Sequence, residues 1–274
     1  MKLRCGAHVL DLSVPRVMGV INVTPDSFSD GGANFDHARA LDHARQMAAD
    51  GADVIDVGGE STRPGAAVVS EAEELRRVLP VIEALARDGV VVSADTRRPG
   101  VMRAAIAMGA TMINDVGALT APGALDAVAE TDAAVCLVHM QGQPATMQRT
   151  PHYDDVVVEV REFLVARAKA CEAAGIARER IVIDPGFGFG KTLAHNLALL
   201  RALPDFAAAG YPVLAGLSRK SSLGTITGRP VDERMAASVA AALAAVARGA
   251  AIVRVHDVRE TVDAIKVWLA IEQG

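Results

Sequence analysis

Aromatic residues are scarce, making up 3% of the 274 residues, while Ala is abundant and 51% of the chain is hydrophobic. That composition suits Ala-rich helices packed closely on a sheet and excludes a disordered chain. Cysteine is nearly absent. Cys5, Cys136 and Cys171 are odd in number and far apart, so neither a disulfide framework nor a zinc site is expected. They read as buried thiols in a reducing compartment. No long basic block occurs and the formal net charge is -5, which argues against nucleic acid as a partner but leaves an anionic substrate open, since local clusters outweigh the sum. Lys2 and Arg4 are not followed by an apolar run, and Asp11 interrupts early, so no signal peptide is expected. The most apolar long stretch, Met235–Val246, is too short for a bilayer. A cytoplasmic protein without membrane contact is the expectation. Also missing are a GxGxxG after the first strand, an HExxH and a Ser-His-Asp triad; Gly190-Lys191-Thr192 is only a partial phosphate-loop match.

What the chain does have is a repeated unit. Short β-branched or apolar runs occur at Val17–Val23, Val54–Val57, Val90–Ala94, Thr111–Asp115, Ala133–Val138, Ile181–Asp184, Val213–Gly216 and Ala251–Val255. Helical patterns alternate with them at Asp36–Asp50, Ser70–Asp88, Pro99–Met108, Gly123–Glu130, Tyr153–Ala174, Leu193–Ala208, Asp232–Ala247 and Val258–Ile271. Strand then helix, eight times, predicts one closed (β/α)8 barrel, an α/β fold of the TIM type, over residues 1–274. Gly51, Gly89, Gly109, Gly175, Gly210 and Gly249 stand where helices should stop. Ser70 with Glu73 and Pro99 stand where helices should start. Leu3–Leu12 predicts a short N-terminal hairpin across the bottom of the barrel. An open doubly wound sheet is the competing fold, disfavoured by the missing dinucleotide fingerprint.

Function on such a barrel collects at the C-terminal strand ends. Those ends are polar or glycine-rich throughout, from Asn22–Gly32 and Asp56–Gly65 to Asp184–Lys191, Gly216–Ser221 and Arg254–Asp257. The opposite ends read as Gly-Ala, Gly-Val or Gly-Tyr-Pro, and the asymmetry points to an enzyme. Asp95, Asn114 and Asp184 converge from three strands and suit a flat heterocycle with amino donors and ring acceptors, since buried carboxylates need partners. The bland alternative is that such an Asp caps the next helix. Arg63, Lys220, Arg254 and His256 form a cationic group, with Arg254 and His256 on one strand face. Beside Asn22 they suit a diphosphate with a hard divalent ion. A surface pair of Arg254 with Asp257 is the bland alternative there. Gly186–Gly190 reads as a tight loop bringing Phe189 over the pocket, and His139, Met140 and Gln141 as pocket wall.

These blocks resemble those of the dihydropteroate synthases. Asn22–Gly32 is similar to the first signature of that family and Gly59–Gly65 to the second, with Asp184–Lys191, Ser218–Ser221 and Arg254–Asp257 matching later ones. The resemblance implies an enzyme of folate synthesis that joins a dihydropterin methyl diphosphate to 4-aminobenzoate and releases diphosphate; because the leaving group sits on a methylene attached to an electron-rich dihydropterin, a dissociative, SN1-like route is expected. It implies that Asp95, Asn114, Asp184 and Lys220 hold the pterin, that Asn22 ligates Mg2+, and that Arg63, Arg254 and His256 handle the diphosphate. Thr62, Pro64, Phe189, Ser218 and Lys220 would surround 4-aminobenzoate, with Phe28 joining them. Gly216 counts among the substrate-binding positions. A homodimer and sulfonamide binding at the 4-aminobenzoate site are implied as well. Leu223–Pro230 departs from the family pattern and leaves the start of the next helix open. A pterin-dependent methyltransferase barrel would share the Asp-Asn-Asp set but has no use for the cationic group. A non-catalytic pterin carrier would need neither that group nor the two Gly-containing loops.

Overall fold

The computed structural model describes residues 1–23, 33–60, 69–143 and 146–272. A hairpin of β1 (Lys2–Cys5) and β2 (His8–Asp11) comes first. The repeated units follow as β3 (Arg16–Asn22), α1 (Ala33–Ala49), β4 (Val54–Gly58), α2 (Glu71–Arg87), β5 (Val92–Asp95), α3 (Pro99–Ala107), β6 (Met112–Asp115), α4 (Ala124–Ala129), β7 (Ala134–Val138), α5 (Val156–Ala173) and β8 (Ile181–Asp184). The last part of the chain carries α6 (Leu193–Arg201), α7 (Leu203–Ala207), β9 (Leu214–Ala215), α8 (Ser221–Thr227), α9 (Met235–Val246), β10 (Ile252–Val255) and α10 (Val258–Glu272). The eight-stranded sheet runs β8-β7-β6-β5-β4-β3-β10-β9, parallel throughout. Ile183 N donates to Pro212 O at 3.0 Å, and a parallel bridge joins Ile183 to Val213. That contact brings β9 back to β8 and completes the (β/α)8 barrel.

Strand parity divides the core in two. Met18, Val54, Met112, Ala134, Val182, Leu214 and Ile252 pack inside the barrel. Their neighbours Val17, Ile55, Ile113, Val135, Ile183 and Val253 pack outward against the helices. The hairpin closes the N-terminal end as expected: Leu3 and Cys5 are fully buried in the inner cluster, and Gly6 N donates to Asp132 O at 3.0 Å.

The helix starts and stops have local causes. Ser70 Oγ accepts from Glu73 N at 3.2 Å, but the Glu73 carboxylate goes to Arg76 and Arg77, so only half of a capping box forms. The six glycines expected at helix ends all take positive φ, between 78° and 104°. Two expectations need correction. Leu193–Ala208 is not one helix: it breaks at Ala202, because Pro204 has no N–H for the preceding turn. Asp232–Ala247 starts later, at Met235. The segment before it holds the unexpected α8, which stops at Gly228 with φ 70°, and then a 3-10 turn at Val231–Glu233.

Candidate active site

The inner face turns polar toward the C-terminal strand ends without changing parity. Asp56, Asn114, Asp184 and Arg254 lie two residues beyond Val54, Met112, Val182 and Ile252, and so share their inward direction. In register, Asp95 lies beside Asn114, and Gly58 beside Asp95. The Arg254 guanidinium reaches across the barrel. Its Nε donates to Asp56 Oδ2 at 2.7 Å and its Nη2 to Asp95 Oδ2 at 2.7 Å. Asn114 Nδ2 donates to the same Asp56 oxygen at 2.9 Å. Among the described residues, Asp56 Oδ1, Asn114 Oδ1 and Ser93 Oγ are buried without a hydrogen-bond partner. Leaving such groups unpaired costs about 1–3 kcal/mol each, so the interior is shaped for a ligand that supplies donors.

A second wall comes from the loops after β8 and β9. Asp184 Oδ1 accepts from Gly186 N at 2.7 Å. Lys220, the N-cap of α8, donates to Phe187 O, and its Nζ lies 4.6 Å from the centre of the Phe189 ring. At Gly216 an added Cβ would sit 3.7 Å from Arg254 Cβ and 3.8 Å from Lys220 Nζ, so the glycine keeps the space between those cations clear. Ser218 Oγ bonds His256 N at 3.2 Å and His256 Nδ1 at 3.0 Å, which fixes the imidazole at the rim.

Charge is unevenly distributed here. Burial pushes Asp95 up to about 7, against the pull of Arg254 and with help from Asp56. Burial works against the Arg254 charge as well, but Asp56 and Asp95 hold it ionised. One guanidinium cannot neutralise two carboxylates, and the surplus negative charge falls on Asp95. Burial also raises Asp184, opposed first by Lys220, and brings Lys220 down to about 8, opposed by Asp184.

The structure therefore brings Asp95, Asn114, Asp184, Lys220, Arg254, His256, Ser218, Gly216 and Phe189 around one barrel mouth. Arg254 is not the surface partner of Asp257, which pairs with Arg219 instead (Nε to Oδ2, 3.2 Å). Asn22 ends β3, and a Cβ built on Gly58 would lie 3.7 Å from Asn22 Oδ1 and 3.6 Å from Asp95 Oδ2. The absent side chain at Gly58 thus leaves a gap between the two oxygens. Phe28, Thr62, Arg63 and Pro64 lie outside the described residues. Sequence reasoning missed Asp56, which is completely buried and accepts from both Arg254 and Asn114. An acid at an inward position inside an apolar run was the signal.

Residues 18–256 match the pterin binding enzyme family. The chain is 53% identical over 268 residues to the dihydropteroate synthase of Escherichia coli (strain K12), covering 97% of this chain and 95% of that one. This chain belongs to the dihydropteroate synthase family. Among solved dihydropteroate synthases, that of Xanthomonas albilineans with 4-aminobenzoic acid superposes with a TM-score of 0.94 at 56% identity, covering 99% of this chain and 98% of that one. The Yersinia pestis dihydropteroate synthase in complex with a sulfonamide drug gives a TM-score of 0.95 at 50% identity, with 100% of both chains covered.

Proposed function

We infer that the enzyme condenses (7,8-dihydropterin-6-yl)methyl diphosphate with 4-aminobenzoate, giving 7,8-dihydropteroate and diphosphate in folate biosynthesis. The observation that carries this is the partly buried Asp56–Arg254–Asp95 bridge with Asn114 and Asp184 beside it, whose unpaired oxygens Asp56 Oδ1 and Asn114 Oδ1 match the amino and ring N–H donors of a 2-amino-4-oxo pterin. The ligands of the relatives, 4-aminobenzoic acid in one and a sulfonamide in the other, support the same assignment of the second substrate site. In this reading Asp95, Asn114, Asp184 and Lys220 hold the pterin. Phe189, Ser218 and Gly216, with Phe28, Thr62 and Pro64, surround 4-aminobenzoate. Arg63 and His256 hold the diphosphate, with Arg254 serving it through whatever its carboxylate bonds leave over.

Asn22 is the expected Mg2+ ligand. Among the described residues no group of three or more His, Cys, Asp or Glu side chains could hold a metal. A single amide oxygen fits an ion that draws most of its ligands from water and a diphosphate, as Mg2+ does. Bound there, Mg2+ would supply charge to the departing diphosphate. The aromatic amine of 4-aminobenzoate carries a free lone pair and needs no strong base to attack. The same reading gives a cytoplasmic homodimer that binds neither nucleic acid nor membrane. It is supported by the -5 net charge and by exposed Ile226, Val231 and Met235 around the turn into α9. No helix among the described residues is long and apolar enough to cross a membrane.

The test is turnover. Pterin diphosphate, 4-aminobenzoate and Mg2+ should yield diphosphate and dihydropteroate. Chelation should stop the reaction, Asn22→Ala should raise its Mg2+ requirement, and a sulfonamide should compete with 4-aminobenzoate. No diphosphate release, full turnover after chelation, or non-competitive inhibition would each refute the corresponding part.

The site charges also set a pH profile. Binding donors at Asp95 requires the carboxylate, and the acid sits at about 7; the Lys220 ammonium sits at about 8. kcat/KM for the pterin diphosphate should therefore rise through about pH 7 and fall above about pH 8, a narrow bell. Asp95→Asn should remove the part of the acidic limb near pH 7 and leave whatever part Asp184 sets. A flat wild-type profile between pH ~6 and ~9 would contradict it.

A further inference from the structure

Lys191 closes the glycine-rich run after β8, and the reaction as read above gives it no task. Its side chain is only 3% exposed. No carboxylate lies within ion-pair distance of it among the described residues. Instead Nζ has three acceptors around it: His139 Nδ1 at 2.9 Å, His139 O at 3.3 Å and Phe189 O at 3.0 Å. An ammonium has three protons to give, so the charged form is matched donor for acceptor. That requires a neutral His139 with its proton on Nε2. Burial, with Lys191 second, holds His139 down to about 3, which keeps the ring neutral. Burial likewise lowers Lys191 to about 7, opposed by Asp184, with Lys220 adding to the lowering.

The two acceptor groups belong to different strand ends. His139 follows β7, and its N–H donates to Asp184 O at 3.0 Å. Phe189 belongs to the loop after β8. That loop bends through Gly186, Gly188 and Gly190 at positive φ, and it leans directly on the β7 end. A Cβ at Gly186 would overlap the His139 carbonyl oxygen, and one at Gly190 would lie 2.6 Å from Gln141 O. Glycines permit this approach but cannot hold it. Polar contacts do: Tyr153 Oη donates to Gly190 O at 3.0 Å, Gln148 donates to Gly188 O, and Lys191 joins both sides at once. The same loop supplies the N–H that Asp184 accepts, the carbonyl that receives Lys220, and the ring below Lys220.

We propose that Lys191 is a positioning residue for the pterin end of the site: with His139 Nδ1 as its acceptor, it clamps the Gly186–Gly190 loop to the end of β7 and so sets Asp184 and Lys220. The inference rests on the pterin reading of those two residues. Its charge also stands behind Asp184 and favours the ionised carboxylate. Lys191 touches no substrate in this account; it acts through the loop.

Binding of a 6-hydroxymethylpterin, followed by its fluorescence, reads the pterin end alone, and the KM for 4-aminobenzoate serves as a second readout. Lys191→Met should weaken pterin binding by about tenfold or more, as loss of the bonds to a charged group implies, while the KM for 4-aminobenzoate, for which Phe189 is one wall among several, changes less. Two variants at 139 separate the acceptor from the ring. Both lose the packing of the imidazole on Phe163 (5.0 Å between centroids), but His139→Asn keeps an oxygen near the Nδ1 position and His139→Leu does not. The Asn variant should bind the pterin about fivefold tighter than the Leu variant. Nitrogen-15 spectra of wild type should show His139 protonated on Nε2 only. Wild-type pterin binding in Lys191→Met would overturn the inference, as would equal losses of both substrates, equal binding by the two His139 variants, or a proton on Nδ1. Failure of the wild-type protein itself to bind the pterin would instead sink the functional reading beneath it.

Discussion

Replacing Arg254 with Met should produce the largest loss of stability of any single change at the barrel mouth, about 3–5 kcal/mol, because it leaves partnered buried carboxylates without their cation. Asp56 is fully buried and Asp95 is 19% exposed, and both give their Oδ2 to this one guanidinium. The pH dependence identifies the cause. Asp95 is already raised to about 7 with Arg254 present, and removing the group that opposes burial raises it further. A raised carboxylate contributes stability below its ordinary value, and that contribution is lost as pH rises through the folded-state value. The melting-temperature gap between wild type and Arg254→Met should therefore be wide at about pH 8 and narrow near pH 4. Adding Asp56→Asn should recover part of the gap, since one fewer charge is then unpaired and the Asn114 bond to residue 56 keeps an oxygen acceptor. Turnover should remain low in the double variant, because both the bridge and the pterin's acceptor are altered. A gap that does not change with pH, or no recovery in the double variant, would show that Arg254 matters for packing and not for charge.

That bridge marks where the sequence was legible and where it was not. The alternation of apolar runs and helical patterns was enough for the barrel, because each strand buried on both faces reads as a continuous run. The polar strand ends were enough for Asp95, Asn114, Asp184 and Arg254. Asp56 escaped because it lies inside a run that reads as core, one inward step below Gly58, and its local signal, an acid in an apolar run, reads equally as a strand boundary one step early. Its partner, Arg254, is 198 residues away, and only closure of the barrel brings them together. Lys191 was visible but was read as a fragment of a phosphate motif. Its burial depends on the glycines before it leaning on β7, a packing fact with no sequence period. The α6–α7 break, by contrast, was available locally at Pro204, and the run of helical periodicity across it concealed the signal.

Asp184→Asn should separate catalysis from folding in the opposite sense to Arg254→Met. The carboxylate accepts Gly186 N–H through Oδ1 at 2.7 Å, and an Asn oxygen in the same place keeps that bond and the loop. What is lost is charge. Burial has raised Asp184 above its ordinary value, so at neutral and higher pH the ionised side chain costs the unliganded fold stability that it would keep below that value. Asn has no such cost, and the variant should melt at or above the wild-type temperature, with the larger gain at higher pH. Activity should move the other way. Two consequences combine: the pterin's donors lose a charged acceptor, worth about 1.5–3 kcal/mol, and Lys220 loses the group that opposes its depression to about 8. kcat/KM for the pterin diphosphate should fall about 100-fold, and the alkaline limb of the profile should shift to lower pH. The loss should also reach the bond-breaking step. If the C–O bond to diphosphate breaks before the amine attacks, positive charge develops on the dihydropterin beside Asp95 and Asp184, and a carboxylate there favours it. With 4-aminobenzoate omitted and the bridging oxygen labelled with oxygen-18, wild type should move label to non-bridging positions or slowly release diphosphate, and Asp184→Asn should do so more slowly. A lowered melting temperature with unchanged kcat/KM would make Asp184 a loop anchor only. Equal rates of label movement in both proteins would remove it from stabilising the cation.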